Sequence, residues 1–330
     1  MPIRMGLCSS HAPSLFFSTY SGWQLMHHRL NDGHPQPPET ELETEEVVNQ
    51  RIPRIKENFA TLKDEIAKFA PDVMVAIIGD QRELFDGSNI PNIAVYAGPD
   101  VDTVHNTGLY DQDPMPSPYE EQFRYPVKID QELSKTLLDG LVDEGFDAAI
   151  ITNMNPQSQP ERGVPHGWGN VAPHLMKDMN IPVVLVFVKV DDGPPAILTG
   201  ERCLELGKAI AKICENSPKK IAIYGSGGMS HDPRGPRSGW VDEPLDNWFL
   251  DQLTAGTSDN LKAMFSFKSE TMVGGTGELR CWTVVAGAID QISPGHKAVK
   301  VDYIPARKVT TGSGWAYWPV IEDETPIAAG

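Results

Sequence analysis

Short, nearly continuous apolar runs recur along the chain at wide spacing. They cover residues 3–8, 73–78, 93–96, 148–152, 183–190 and 221–224. Runs of roughly four to eight residues without polar alternation predict strands buried on both faces. Between several of them the apolar period lengthens. Ile55, Phe59, Leu62, Ile66 and Phe69 share one helical face, and Pro71 closes that helix just before the next strand. Residues 133–141 and 204–213 read as two more helices, feeding the strands at 148 and 221. Helices alternating with buried strands predict an α/β fold, a central mixed sheet flanked by helices in a single large domain over 1–330. No internal repeat or composition break divides the chain. Two stretches read as insertions. Residues 31–48 hold Pro35, Pro37, Pro38 and five glutamates from Glu39 to Glu46; residues 98–125 are rich in Asp and Pro. The glutamate run reads as a solvated loop or helix start.

Charge narrows the range of partners. The 330 residues carry 28 Lys+Arg against 45 Asp+Glu, a net charge of −17. Nucleic-acid binding needs clustered cations, and docking on an anionic membrane does too, so neither partner is expected. No run of apolar residues is long enough to span a bilayer, and the first residues lack the apolar stretch of a secretory signal. Cys8, Cys203, Cys214 and Cys281 form no C-x-x-C pair, which predicts a reduced, cytoplasmic protein without a zinc–thiolate site. With 29 glycines and 28 prolines, the chain is expected to carry long loops over its scaffold, where sites tend to lie.

Ligands in α/β sheets bind beyond the carboxyl ends of strands. Ser9-Ser10-His11-Ala12-Pro13 follows the first run, and Gly79-Asp80-Gln81-Arg82-Glu83 the second. Asn153 and a loop to Pro165-His166-Gly167 follow the run at 148, and Gly225-Ser226-Gly227-Gly228-Met229-Ser230-His231-Asp232 follows the run at 221. Gly274-Gly275-Thr276-Gly277-Glu278 precedes an apolar segment over 281–289. Taken singly, His11 reads as a loop or capping residue, His166 as part of a turn, and Glu278 as a helix-start carboxylate. Residues 225–228 resemble an anion-cradling loop, but the lysine of a phosphate-binding loop and a G-x-G-x-x-G fingerprint are both missing. Taken together, neutral imidazoles and a carboxylate with open coordination positions are the donor set of oxygen-activating non-heme Fe(II). A further histidine beside such a centre serves as acid or base near neutral pH.

These pieces in this order resemble the class III extradiol ring-cleavage dioxygenases of the protocatechuate 4,5-dioxygenase β-subunit type. Ser10-His11-Ala12-Pro13, the stretch Gly79 to Phe85, His166-Gly167, Gly227-Gly228-Met229-Ser230-His231 and Glu278 leading into 282–288 carry the resemblance across nearly the whole chain. The Asp80-Gln81-Arg82-Glu83-Leu84-Phe85 element and the tail around Gly312-Ser313-Gly314-Trp315 look closest to the gallate and 3-O-methylgallate dioxygenase-like branch. The resemblance implies Fe(II)- and O2-dependent extradiol cleavage of a catecholic or pyrogallol-type aromatic acid. It implies iron ligands at His11 and Glu278, an acid/base at His231 and a histidine at His166 facing substrate or oxygen. Asp80, Gln81 and Ser230 are expected beside the substrate, and a homo-oligomer, usually a dimer, is implied.

One departure stands out. The family's second iron-ligand histidine falls at position 81, which here is Gln81. Three outcomes are open: the Gln81 amide oxygen serves as a weaker ligand, a histidine from near the first insertion (His27, His28 or His34) replaces it, or metal binding is poor. The third outcome implies metal-assisted or metal-free hydrolase or lyase chemistry on a related aromatic or ring-opened compound. A silent binding module is a further reading, disfavoured by His11, His166, His231 and Glu278 all being present. Arg234, Arg237 and Arg280 are candidates for a substrate carboxylate, with nothing in the sequence to choose between them. Trp315, Tyr317 and Trp318 are expected in the core or at a subunit boundary.

Overall fold

The computed structural model of the protein describes residues 3–31, 33–105, 123–176, 180–191 and 197–322. Much of the second predicted insertion, residues 106–122, lies outside the described residues. The strands are β1 (Ile3–Ser9), β2 (Val73–Asp80), β3 (Ile93–Tyr96), β4 (Val101–His105), β5 (Phe123–Val127), β6 (Ala148–Ile151), β7 (Val183–Lys189), β8 (Ile221–Ser226), β9 (Val299–Ala306) and β10 (Thr311–Trp318). The helices are α1 (Tyr20–Asn31), α2 (Glu45–Phe69), α3 (Gln131–Asp143), α4 (His166–Gly169), α5 (Ala172–Leu175), α6 (Gly200–Cys214), α7 (Glu243–Ala255) and α8 (Leu279–Ile292).

Eight strands form one mixed sheet in the order β6-β3-β7-β2-β8-β1-β10-β9, and β4 pairs with β5 separately. The central strands β7, β2, β8 and β1 are mutually parallel. The β3–β6 pair lies antiparallel to β7, and β10 antiparallel to β1. Side chains of the central strands alternate between two cores. Val73, Val75 and Ile77 of β2 face the layer holding α3, α6 and α8, while Met74, Ala76 and Ile78 face α2 and the small helices α4 and α5. Strands covered on both faces need no polar side, which is why their sequences are unbroken apolar runs.

Local sequence sets the helix ends. The Thr44 side chain caps α2 by accepting from Val47 N–H, Asp130 caps α3 through Leu133 N–H, and Thr199 caps α6 through Arg202 N–H. The helix predicted from the 55–69 face starts earlier, at Glu45, with Pro53 inside it. The glutamate run is therefore mixed. Glu45 and Glu46 occupy the first turn of α2, where the helix dipole favours them. Glu43 departs from the solvated reading. It is buried, pairs with Arg51 at 2.6 Å, and accepts the backbone N–H groups of Arg307 and Lys308 at 2.9 and 2.7 Å. The tail forms β9 and β10, which extend the sheet beyond β1. Trp315 and Trp318 are buried on opposite faces, with Trp315 edge-on to Phe59.

Candidate active site

Three neighbouring parallel strands open at the same edge. β1 releases His11, β2 releases Gln81, and β8 releases the loop that ends in His231. Glu278 reaches the same place from the start of α8, and His166 from the start of α4. Two glycine-rich loops allow this crowding. A Cβ on Gly227 would lie 2.7 Å from Glu278 Cβ, and one on Gly275 2.1 Å from His231 Nε2. Any side chain at either position would push the carboxylate or the imidazole out of place.

Hydrogen bonds fix which nitrogen of each imidazole faces the centre. His11 Nδ1 lies 2.8 Å from Ser226 Oγ. The Ser226 hydroxyl gives its own proton to the Gly167 carbonyl, so it accepts from His11 Nδ1–H. His231 Nδ1 lies 2.7 Å from the Met229 carbonyl, which can only accept. Both rings thus present an Nε2 lone pair inward when neutral. His11 Nε2 is 3.3 Å from Glu278 Oε1, and His231 Nε2 is 3.8 Å from Glu278 Oε2. Lone pairs facing a carboxylate at these distances call for positive charge, either a proton on imidazole or a metal cation.

The carboxylate is prepared to stay charged. Burial works to raise the Glu278 pKa, but His11, His231 and the Gly228 N–H outweigh it and bring it down to about 2. Gly228 N–H donates to Oε2, so the loop that resembled an anion cradle does cradle one, the chain's own Glu278. The Gln81 amide donates its Nε2–H to Oε1. Its Oε1 is buried without a hydrogen-bond partner. Half a turn of the carboxamide would bring that oxygen toward the carboxylate, an arrangement that is repulsive unless a cation lies between them. His11 Nε2, a Glu278 oxygen and Gln81 Oε1 therefore fit a borderline divalent cation such as Fe(II), with Gln81 its weakest donor. Among the described residues no three His, Cys, Asp or Glu side chains form a metal cage by themselves.

His166 stands beside this centre, its ring edge-on to His11 with centroids 4.8 Å apart. Glu83, not singled out in the sequence as a site residue, clamps it twice. One carboxylate oxygen meets His166 Nδ1, and the other accepts the His166 backbone N–H at 3.1 Å. Burial opposes the charged form of this imidazole, but the Glu83 carboxylate outweighs it and raises the pKa. Glu83 lies in the quoted Gly79–Phe85 stretch; only the fold pairs it with a histidine 83 positions away.

His11, Gln81, His166, His231 and Glu278 line one cavity of about 230 Å³, walled by Ala12, Pro13, Leu30 and Pro233, with Arg234 also lining it. Asp80 and Ser230, expected beside the substrate, are engaged elsewhere. Asp80 accepts the backbone N–H groups of Leu84 at 2.8 Å and Phe85 at 3.2 Å, shaping the turn that carries Gln81. Burial pushes its carboxyl up to about 6. Ser230 Oγ donates to Asp246 at 2.8 Å. His27, His28 and His34 are not among the residues lining the cavity. His27 sits by Glu43 and Lys308, and burial lowers its pKa.

Asp246 is a buried anchor for the His231 loop. It accepts Ser230 N–H at 2.8 Å, Ser230 Oγ–H at 2.8 Å and Tyr303 Oη–H at 2.7 Å. Burial outweighs these bonds and pushes its carboxyl up to about 7. An unfolded aspartate loses its proton near pH 4. Between roughly pH 4 and 7 the folded state then binds more protons than the unfolded one, and Asp246 makes stability fall as pH rises. An Asp246→Asn protein cannot titrate there. Urea unfolding from pH 4 to 8 is expected to show wild-type stability falling relative to the variant across this window; a constant difference rejects the assignment.

The family model described as the catalytic LigB subunit of aromatic ring-opening dioxygenase matches residues 7–312. The chain belongs to the LigB family. A 2,3-dihydroxyphenylpropionate/2,3-dihydroxicinnamic acid 1,2-dioxygenase of Rhodococcus globerulus is 28% identical over 174 residues, 50% of this chain and 51% of that protein. The gallate dioxygenase of Pseudomonas putida is 28% identical over 168 residues, 50% of this chain and 47% of that protein. The 2,3-dihydroxyphenylpropionate/2,3-dihydroxicinnamic acid 1,2-dioxygenase of Photorhabdus laumondii is 26% identical over 126 residues, 38% of this chain and 37% of that protein. The matched stretches thus span between about a third and a half of these relatives' lengths. The LigB match contains every residue of the cavity's inner end, from His11 through Gln81, His166 and His231 to Glu278.

Proposed function

We propose that this LigB-family protein is a non-heme Fe(II)-dependent extradiol dioxygenase, a single catalytic domain that opens the ring of a catecholic or pyrogallol-type aromatic acid with O2. The observation that carries the reading is the convergence of the His11 and His231 Nε2 lone pairs on the Glu278 carboxylate inside one cavity. His11, Glu278 and Gln81 would hold the iron. Bound Fe(II) supplies the path for electrons between ring and O2, which no side chain here offers.

The rest of the work falls to the chain. His231 Nε2 takes the proton of a substrate hydroxyl, and the adjacent Glu278 carboxylate stabilises the imidazolium that results. Met229 O keeps that ring in the tautomer the transfer requires. Glu83 holds His166 against the reacting end of the cavity. Ala12, Pro13, Leu30 and Pro233 present apolar surface to the ring and keep bulk water from it. A homo-oligomer belongs to the same reading. No described helix is long and apolar enough to cross a membrane.

A second reading draws on Gln81 standing where the family's second iron-ligand histidine falls, which leaves a weaker donor there. It is hydrolysis or lyase chemistry on a related aromatic or ring-opened compound, with His11 and His231 as acid and base. Oxygen consumption separates the two. Protein reconstituted anaerobically with Fe(II) is expected to take up one O2 per 3,4-dihydroxybenzoate or gallate and to place both oxygen atoms in a ring-opened product. No uptake with either compound rejects the dioxygenase reading.

A further inference from the structure

We infer that Thr276 is a positioning residue for His231, clamping its main chain so that the imidazole stands at a fixed distance from the Glu278 carboxylate. This rests on the ring-opening reading for the reaction that His231 serves; the clamp itself stands on hydrogen bonds. Thr276 Oγ1 accepts the His231 N–H at 3.1 Å and donates to the His231 carbonyl at 3.3 Å. The Thr276 N–H donates to that same carbonyl at 3.1 Å. Both backbone groups of His231 are thus taken by one residue 45 positions away. Thr276 is fully buried, so water does not compete at its hydroxyl.

The segment around Thr276 has room for a side chain at that position and not beside it. Gly274, Gly275, Thr276 and Gly277 lead into Glu278. A Cβ on Gly274 would lie 2.4 Å from Asp232 Oδ1, one on Gly275 2.1 Å from His231 Nε2, and one on Gly277 2.0 Å from Val190 O. Close neighbours thus account for the three glycines. The fourth residue carries a hydroxyl, which gives and accepts a hydrogen bond through one atom, as the N–H and C=O of His231 together require. An apolar side chain there would leave the buried His231 N–H without its partner.

The clamp matters through what it connects. Thr276 stands two residues before Glu278. The same two segments are joined at two further points: Gly228 N–H donates to Glu278 Oε2, and Trp282 Nε1–H donates to Gly227 O at 3.0 Å. The loop that carries the proton acceptor and the segment that carries the carboxylate therefore form one block, with His231 Nε2 3.8 Å from Glu278 Oε2. Other supports of this loop act on its neighbours. Gly312 bonds Met229 N–H and the Ser230 carbonyl, each at 2.9 Å, and Asp246 bonds Ser230. Thr276 acts on His231 itself. A reacting group displaced by about 1 Å loses about 10²-fold in rate.

Kinetics, iron titration and crystal structures of the Thr276 variants test this. Thr276→Val keeps the shape and removes the hydroxyl, and Thr276→Ala gives the same readout if valine disturbs the packing. Either is expected to lower kcat by about 10–100-fold, with KM for 3,4-dihydroxybenzoate and Fe(II) affinity within about twofold of wild type. Thr276→Ser returns the hydroxyl and should bring kcat to within about threefold of wild type. On a His231→Ala background, Thr276→Val should change the single-turnover rate by less than about twofold, because the group it positions is gone. Wild-type kcat in Thr276→Val and Thr276→Ala, loss of iron along with activity, a serine variant as slow as the valine one, or additive losses with His231→Ala overturns the role. Crystal structures of the metal-free proteins decide it without turnover. The His231 Nε2 of Thr276→Val is expected more than about 1 Å from its wild-type place, and an unmoved imidazole overturns the clamp. If the imidazole moves but the iron-loaded wild type consumes no O2, the clamp stands and ring cleavage fails. If wild type consumes O2 and the imidazole does not move, ring cleavage stands and the clamp fails.

Discussion

Glu278→Ala protein is expected to lose ring-opening activity to the background level and to bind Fe(II) more than about 100-fold less tightly. Groups that merely support metal ligands already cost about 10–100-fold when removed. Glu278 does more, since it is the one acidic group on which His11 Nε2, His231 Nε2, Gln81 Nε2 and Gly228 N–H all converge. Without it, the two imidazole lone pairs face each other across a neutral gap and hold a cation poorly. Glu278→Gln keeps the shape and removes the charge, so it separates packing from charge. Both variants should fail alike if charge is what matters. Iron titration followed by oxygen uptake checks the pair, and near-normal iron affinity in either variant contradicts the role.

His231→Ala is expected to lower kcat by about 10²–10⁴-fold, the usual contribution of a positioned acid or base. Iron content should stay near that of wild type, because His11, Gln81 and Glu278 are untouched. That split identifies His231 as a group that moves a proton. Loss of iron together with activity would make it a ligand instead, a role its Nε2 at 3.8 Å from Glu278 Oε2 also permits geometrically. Measured iron stoichiometry beside single-turnover rates distinguishes the two.

The parts of the fold legible in the sequence are those governed by burial. The runs at 73–78, 183–190 and 221–224 are central strands, and β2, β7 and β8 extend them or stop short of them by a residue or two. The helix face from Ile55 to Phe69 is clear because α2 buries one side only. The β9–β10 hairpin is not legible, because Gly312, Ser313 and Gly314 carry little apolar signal. They are small for a packing reason: a Cβ on Gly314 would lie 2.7 Å from Met229 Sδ, and one on Gly312 2.1 Å from Asp246. Helix α1 is hidden by Ser21, Gly22, His27 and His28, and it buries only Trp23, Met26 and Leu30.

At the site, residues that end strands could be found in sequence, because a polar group after an apolar run has few other meanings. His11, Gln81 and His231 are of this kind, and the structure brings them together with Glu278 and His166. The supporting residues are different. Glu83 acts on His166, Ser226 on His11 and Asp246 on Ser230, across separations of 83, 215 and 16 positions. Nothing local marks such pairs, and Asp246 and Ser226 read as ordinary helix and strand-end residues.

The direct test is anomalous X-ray scattering at the iron edge from crystals of the protein loaded anaerobically with Fe(II). The account predicts one peak about 2 Å from both His11 Nε2 and a Glu278 oxygen, with the Gln81 carboxamide turned so that its oxygen faces the metal. Iron bound elsewhere, or no peak between His11 and Glu278 at saturating Fe(II), would contradict it.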